Sequence, residues 1–229
     1  MAETALIVGA GTGTSASFAR ALAAQDVKVA LAARNVNKLA ALSEEINGLA
    51  IACDVAQAAQ VEALFTQVDE TLGGVDVVLF NPSARVRGSI LDVDAEALKR
   101  AIMVSAYGGF LVGQQAARRM VEKGGGAIFF TGATASVKGY AHSASFGMGK
   151  FALRALAQSM ARELGPKNIH VAHFVIDGSI DVPGRERTAD NDDGLLDPDA
   201  IAATYMAVLQ QHRSAWTHEL DLRPWCERF

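Results

Sequence analysis

The sequence predicts an α/β fold, a single-domain, doubly wound parallel sheet of about seven strands with helices on both faces. Three observations carry that expectation. Short apolar runs recur along the chain, stretches with helical spacing separate them, and the runs are mostly continuous rather than alternating, as in parallel strands covered on both sides. The runs are Ala5–Val8, Val27–Ala32, Leu49–Cys53, Val75–Phe80, Ala127–Phe130, His170–Ile176 and Trp216–Leu222. With 229 residues, 50% of them apolar, the chain can bury a substantial core, and residues 1–229 read as one domain.

The first run ends in Gly9-Ala10-Gly11-Thr12-Gly13-Thr14-Ser15, and Phe18 and Leu22 follow at helical spacing. That is a strand, a tight turn and a helix. Glycines let a bulky anion approach the backbone, and they tolerate positive φ in the turn. A phosphate docked there meets the free N–H groups and the positive end of the helix. Gly9, Gly11, Thr12, Gly13 and Thr14 are therefore candidate phosphate-binding residues. The spacing Gly-x-Gly-x-x-Gly is not completed, because Ser15 follows Gly13 by two, and a surface turn of small residues is the plainer alternative.

In doubly wound sheets ligands lie beyond the carboxyl ends of the strands. After the second run, Ala33 leaves neutral the place where an acidic residue would bind a ribose 2′-hydroxyl. Arg34 offers a guanidinium suited to a 2′-phosphate, which favours NADP(H) over NAD(H). The third run ends at Asp54-Val55, where the carboxylate can accept from an adenine amino group or cap the next helix. The fourth ends in Asn81-Pro82-Ser83-Ala84, a rigid passage of small residues.

A long helix is expected from Ala95 to Lys123, with the small residues Ser105, Ala106, Gly108 and Gly109 admitting close approach; Gly124-Gly125-Gly126 ends it. The fifth run leads through Thr131–Ser136, Tyr140, His142, Ser143 and Ser145 into a helix from about Phe146 to Leu164. On that helix Lys150, Arg154, Gln158 and Arg162 recur every four residues, which by spacing alone is a solvated polar stripe. Residues 177–199 are polar and acidic without periodicity, as in a substrate loop or lid.

Charge and targeting signals exclude several classes. The net charge of −4 is spread along the chain, so neither nucleic acid nor an anionic membrane is an expected partner. No apolar run is long enough to span a bilayer, and the first strand starts too early for a leader, so a cytoplasmic protein is expected. Cys53 and Cys226 have no metal-ligand spacing and no metal is expected.

The order of these motifs resembles the short-chain dehydrogenase/reductase family over essentially the whole chain, which implies a Rossmann-type fold. The family's Thr-Gly-x-x-x-Gly-x-Gly falls on Val8, Gly9, Gly13 and Ser15, and Asn81-Pro82-Ser83-Ala84 stands for its Asn-Asn-Ala-Gly. The resemblance implies cofactor contacts at Gly9, Gly11, Thr12, Gly13, Thr14, Arg34, Asp54, Val55, Asn81, Ser83 and Lys150. The family's Tyr-x-x-x-Lys reads Phe146-Gly147-Met148-Gly149-Lys150, so phenylalanine stands at the proton donor's place. Ala133 stands at the active-site serine's place and Ser105 at the helix asparagine's, while Asp177-Gly178 replaces the usual Pro-Gly.

A hydride delivered to a carbonyl leaves an alkoxide that needs a proton, and phenylalanine cannot supply one; a positioned acid is worth roughly a hundredfold to ten-thousandfold. Two readings follow. In the first the chain is an NADP(H)-dependent oxidoreductase with a non-standard site, for an unidentified small-molecule substrate. Lys150, Ser105 and Tyr140 are then its catalytic candidates, with His142, Ser145 or an ordered water as other relays. In the second it is a dinucleotide-binding sensor or partner subunit without turnover. The resemblance also implies a homodimer or homotetramer paired through the two long helices, to which Ala152, Ala155, Leu156 and Met160 are suited.

Overall fold

The computed structural model describes residues 2–184 and 194–227. Seven strands form one sheet: β1 Thr4–Val8, β2 Lys28–Ala33, β3 Leu49–Ala52, β4 Val77–Phe80, β5 Gly126–Thr131, β6 Ile169–Ile176 and β7 Glu219–Leu222. Every neighbouring pair is parallel and the order is β3-β2-β1-β4-β5-β6-β7. The helices are α1 Thr14–Ala23, α2 Ala40–Glu45, α3 Ala58–Leu72, α4 Ala95–Ile102, α5 Gly108–Lys123, α6 Ala144–Leu164 and α7 Pro198–Leu209.

Continuous apolar strands are explained by the two cores, because successive side chains alternate between faces. Leu6, Val78, Phe80, Ile128 and Phe130 face one core, with Phe65 of α3, Val112 of α5 and Leu153 of α6. Ala5, Ile7, Val77, Leu79 and Phe129 face the other, with Phe18 of α1 and Tyr205 of α7. The seventh run is shorter than expected. Trp216 leaves the sheet and lies flat on His170, ring centroids 4.7 Å apart, so pairing with β6 is confined to Glu219–Leu222.

The helix expected over Ala95–Lys123 is α4 and α5 joined by a π turn at Met103–Tyr107. Such a turn inserts one residue into the helical ladder. Here it buries Ser105 completely, and its Oγ accepts the amide of Ala84 at 3.1 Å. The small residues admit the expected close contacts: a Cβ on Gly108 would lie 2.8 Å from Val55 Cγ2, and one on Gly149 the same distance from Ser105 Cβ. Helix α6 thus packs directly onto the π turn.

Of the four residues suited by sequence equally to pairing between copies or to the internal core, Met160 and Leu156 pack into the core; Ala152 and Ala155 remain exposed. Of the loop or lid read over residues 177–199, the described ends meet where Ile180 bridges Leu196, with Asp181 N–H to Leu196 O and Leu196 N–H to Ser179 O both 2.8 Å. Residues 185–193 of that segment lie outside the described residues.

Removing the Ser105 hydroxyl leaves a partly buried amide without its acceptor, which costs about 1–3 kcal/mol. Ser105→Ala is therefore expected to lower the denaturation midpoint, read by urea titration, with an unchanged m-value.

Candidate functional site

The strand order reverses between β1 and β4, and ligands of doubly wound sheets bind in the crevice beyond the carboxyl ends of such strands. A cavity of about 610 Å³ lies there. Its floor is the glycine turn. Gly9 has φ +75°, and a Cβ on it would lie 2.6 Å from the Pro82 nitrogen, so only glycine passes this point without displacing the chain after β4. Asn81 closes the contact by donating from its side-chain nitrogen to Gly9 O at 3.2 Å.

A Cβ on Gly11 would project into open space, and Gly13 is the N-cap of α1 without a side-chain cap. Among the described residues the amides of Thr12, Gly13 and Thr14 have no acceptor, as the first turn of a helix leaves them. Ser15, which breaks the glycine spacing, turns its Oγ back to accept the Gly11 amide at 2.9 Å. The Thr14 hydroxyl is buried with no partner among the described residues.

At the far end the cavity is bordered by Arg34 and Asn35 and by Lys38, four residues after Arg34 on a short 3₁₀ turn. Lys38 escaped the sequence reading; its signal was the spacing from Arg34. Asp54 also lines the cavity. It does not cap α3, whose N-cap is Gln57; its Oδ1 accepts the Ala56 amide at 3.0 Å, and its own amide donates to Gln60 Oε1 at 2.8 Å. Val55 and Ser83 complete the wall, beside the buried Cys53, whose thiol is pushed up to about 11 by burial.

A second cavity, of about 550 Å³, lies beyond β5 and β6. Ala133, Thr134, Tyr140, His142 and Phe146 line it, with Arg85 and Arg87. The structure therefore brings Ala133, Tyr140 and Phe146 together. Ser105 and Lys150 line neither cavity. Ser145 is spent on the neighbouring segment, accepting the Val86 amide and donating to Val86 O, both at 2.9 Å. Asp177, in place of the usual proline, is bound by the Thr134 hydroxyl and faces Arg223.

Lys150 does not belong to a solvated stripe. It is buried, donates to Thr131 O at 2.6 Å, and burial lowers its pKa to about 8. One turn on, Arg154 makes two bonds of 2.6 and 2.7 Å to Glu219 of β7. Glu219 in turn takes Nδ1 of His173 at 2.9 Å. The periodicity was real; the sheet edge covers the end of the stripe that helical spacing alone exposes to water.

The sheet and its crevice define the class, an α/β oxidoreductase fold of the kind that binds nicotinamide dinucleotides. The model of the short chain dehydrogenase family matches residues 3–192, and the chain belongs to that family. A short-chain dehydrogenase/reductase of Armillaria gallica is 34% identical over 180 residues, 75% of this chain and 69% of that protein. A solved short-chain dehydrogenase from Rhodopseudomonas palustris is 38% identical, with TM-score 0.83 over 97% of this chain and 98% of that one. An alcohol dehydrogenase from the archaeon Thermococcus sibiricus, solved in complex with 5-hydroxy-NADP, is 25% identical, with TM-score 0.88 over 99% and 98%. In the described residues no helix is long and apolar enough to cross a membrane, and no cluster of metal-ligating side chains occurs.

His173 makes the fold sensitive to acid. Burial pushes its pKa down to about 4, and the Glu219 carboxylate offsets only part of that. Between the ordinary histidine value and about 4 the unfolded chain binds the extra proton, so stability falls as the pH falls through this window. The full effect is about 3 kcal/mol. Thermal melts from pH 7 to 4 are expected to fall more steeply for wild type than for His173→Gln.

Proposed function

We propose that the chain binds NADP(H) in preference to NAD(H), and that the second cavity holds a small-molecule substrate for hydride transfer at a site lacking the family's phenol. The observation that carries this reading is the pair of cavities at the carboxyl end of one sheet. One has a glycine floor, unused helix amides and two cations; the other has Phe146 and Ala133 beside Tyr140.

The residues present fit the dinucleotide. The open space at Gly11 and the free amides of Thr12, Gly13 and Thr14 suit a pyrophosphate. Arg34 and Lys38 suit a 2′-phosphate, and Asp54 retains an oxygen for an adenine amino group. Asn81, Ser83 and Val55 fix the wall. Bound NADPH supplies a hydride. Lys150 sets a positive charge at the carboxyl end of β5, and Tyr140 is the hydroxyl placed to give the alkoxide its proton. Ser105 is a positioning residue, holding Ala84 and with it the segment between the two cavities. In the same reading the chain pairs with a second copy through α5 and α6, which expose Phe110, Met148 and Phe151.

The decisive experiment titrates purified cofactor-free protein with NADPH and NADH, followed by nicotinamide fluorescence. NADPH is expected to bind more tightly, and Arg34→Ala to weaken it by roughly tenfold to a hundredfold while leaving NADH unchanged, the loss of a charged hydrogen-bonding partner. Binding of neither nucleotide would overturn the proposal. Intact binding without turnover on any carbonyl substrate would move the chain to the sensor reading.

The acid itself is tested by restoration. Phe146→Tyr with Ala133→Ser is expected to raise NADPH-dependent carbonyl reduction by about a hundredfold or more, measured as initial rates on a panel of ketones.

A further inference from the structure

The segment following β4 carries Arg85 and Arg87 at a spacing of two, and it is neither helix nor strand. Its even-numbered residues are tied down through the backbone. Ala84 N–H donates to Ser105 Oγ at 3.1 Å, Val86 exchanges two bonds with the Ser145 hydroxyl, and Gly88 N–H donates to His142 O at 3.2 Å. The two arginines lie between these tied positions, and both line the second cavity.

Arg85 is further fixed by stacking on Phe146, its guanidinium carbon 3.9 Å from the ring centroid. A planar guanidinium over an aromatic face is held by cation–π attraction while its N–H groups, which lie in its own plane, remain available. Among the described residues neither Arg85 nor Arg87 has a carboxylate partner. Asp177, between the lining residues Ile176 and Gly178, is already engaged by Thr134 and Arg223. Two like charges on one wall repel each other, and each lowers the cost of bringing in an anion. Desolvation and the like charge of Arg87 together lower the Arg85 pKa.

We propose that the second cavity recognises a substrate oxyanion, a carboxylate or a phosphate monoester, between Arg85 and Arg87, with Phe146 serving as the platform that orients Arg85. The inference rests on the reading of this cavity as the substrate site. It assigns residue 146 a use that a phenol is not needed for, and it gives the substrate class a charge. The apolar face of Phe146 and the small Ala133 leave room beside the anion for a carbon skeleton.

The test uses the full chain with sodium benzoate as probe and benzamide as its neutral counterpart. Binding is followed by ligand-observed NMR and calorimetry, with and without NADP⁺ present. Benzoate is expected to bind and benzamide to bind at least roughly tenfold more weakly, because paired guanidinium–carboxylate bonds are charge-assisted. Arg87→Gln and the double variant Arg85→Gln, Arg87→Gln are expected to abolish that difference, and added salt to shrink it in wild type. Arg87→Gln keeps the Arg85–Phe146 stack and guards against a fold defect in the double variant. Inorganic phosphate as a competitor of benzoate separates the two sources: displacement favours a phosphate monoester, and its absence a carboxylate.

Equal affinity for benzoate and benzamide, no benzoate binding at tens of millimolar, or an undiminished preference for benzoate in both variants would each overturn the inference. Loss of NADPH binding sinks the cofactor reading whatever benzoate does. Intact NADPH binding without a preference for benzoate sinks only the anion site.

Discussion

The carboxyl ends of β1 and β4 run so close together that no side chain fits between Gly9 and Pro82, and the rest of the site depends on that approach. The Asn81 amide spans it, the glycine turn bends into the crevice because of it, and α1 presents its unused N–H groups there. The segment beyond Pro82 is launched along a fixed path that Ser105 and Ser145 then hold. One packing constraint therefore aligns the cavity over the glycine turn with the cavity next to it.

The two cavities differ in how their chemistry is supplied. The first uses backbone groups and glycine space, which need a strand, a turn and a helix start in sequence and little else. The second is lined from four separate parts of the chain: the segment after β4, the one after β5, the start of α6 and the end of β6. Substitution at its wall changes chemistry without changing the fold. Phenylalanine at residue 146 fits the same place on α6 that a tyrosine would, one turn before Lys150.

Most of the fold could be read from the chain, because continuous apolar runs and their spacing report a buried parallel sheet directly. The glycine turn and Arg34 could be read for the same reason: they are local. Burial set by distant strands could not. Lys150 had the spacing of a solvated stripe, yet it is buried against the carboxyl end of β5, and its neighbour Arg154 is taken up by Glu219 of β7. Ser105 sat in a helical pattern with nothing to announce the π turn that aims its hydroxyl at Ala84. Arg85 and Arg87 escaped because a segment that is neither helix nor strand carries no periodicity to recognise; only the bonds at Ala84, Val86 and Gly88 reveal how it is held beside the cavity.

That segment separates two tasks that loops usually mix. Its path is marked by main-chain hydrogen bonds at alternate positions, and of the side chains between them Arg85 adds a contact with Phe146. Residue 87 is thereby the freer of the two: exchanging it alters the polarity of the cavity wall and leaves the main-chain bonds on either side and the Arg85–Phe146 contact in place. In evolutionary terms this is a position where point substitution can retune a cavity without insertion, deletion or repacking, and where a designer can do the same.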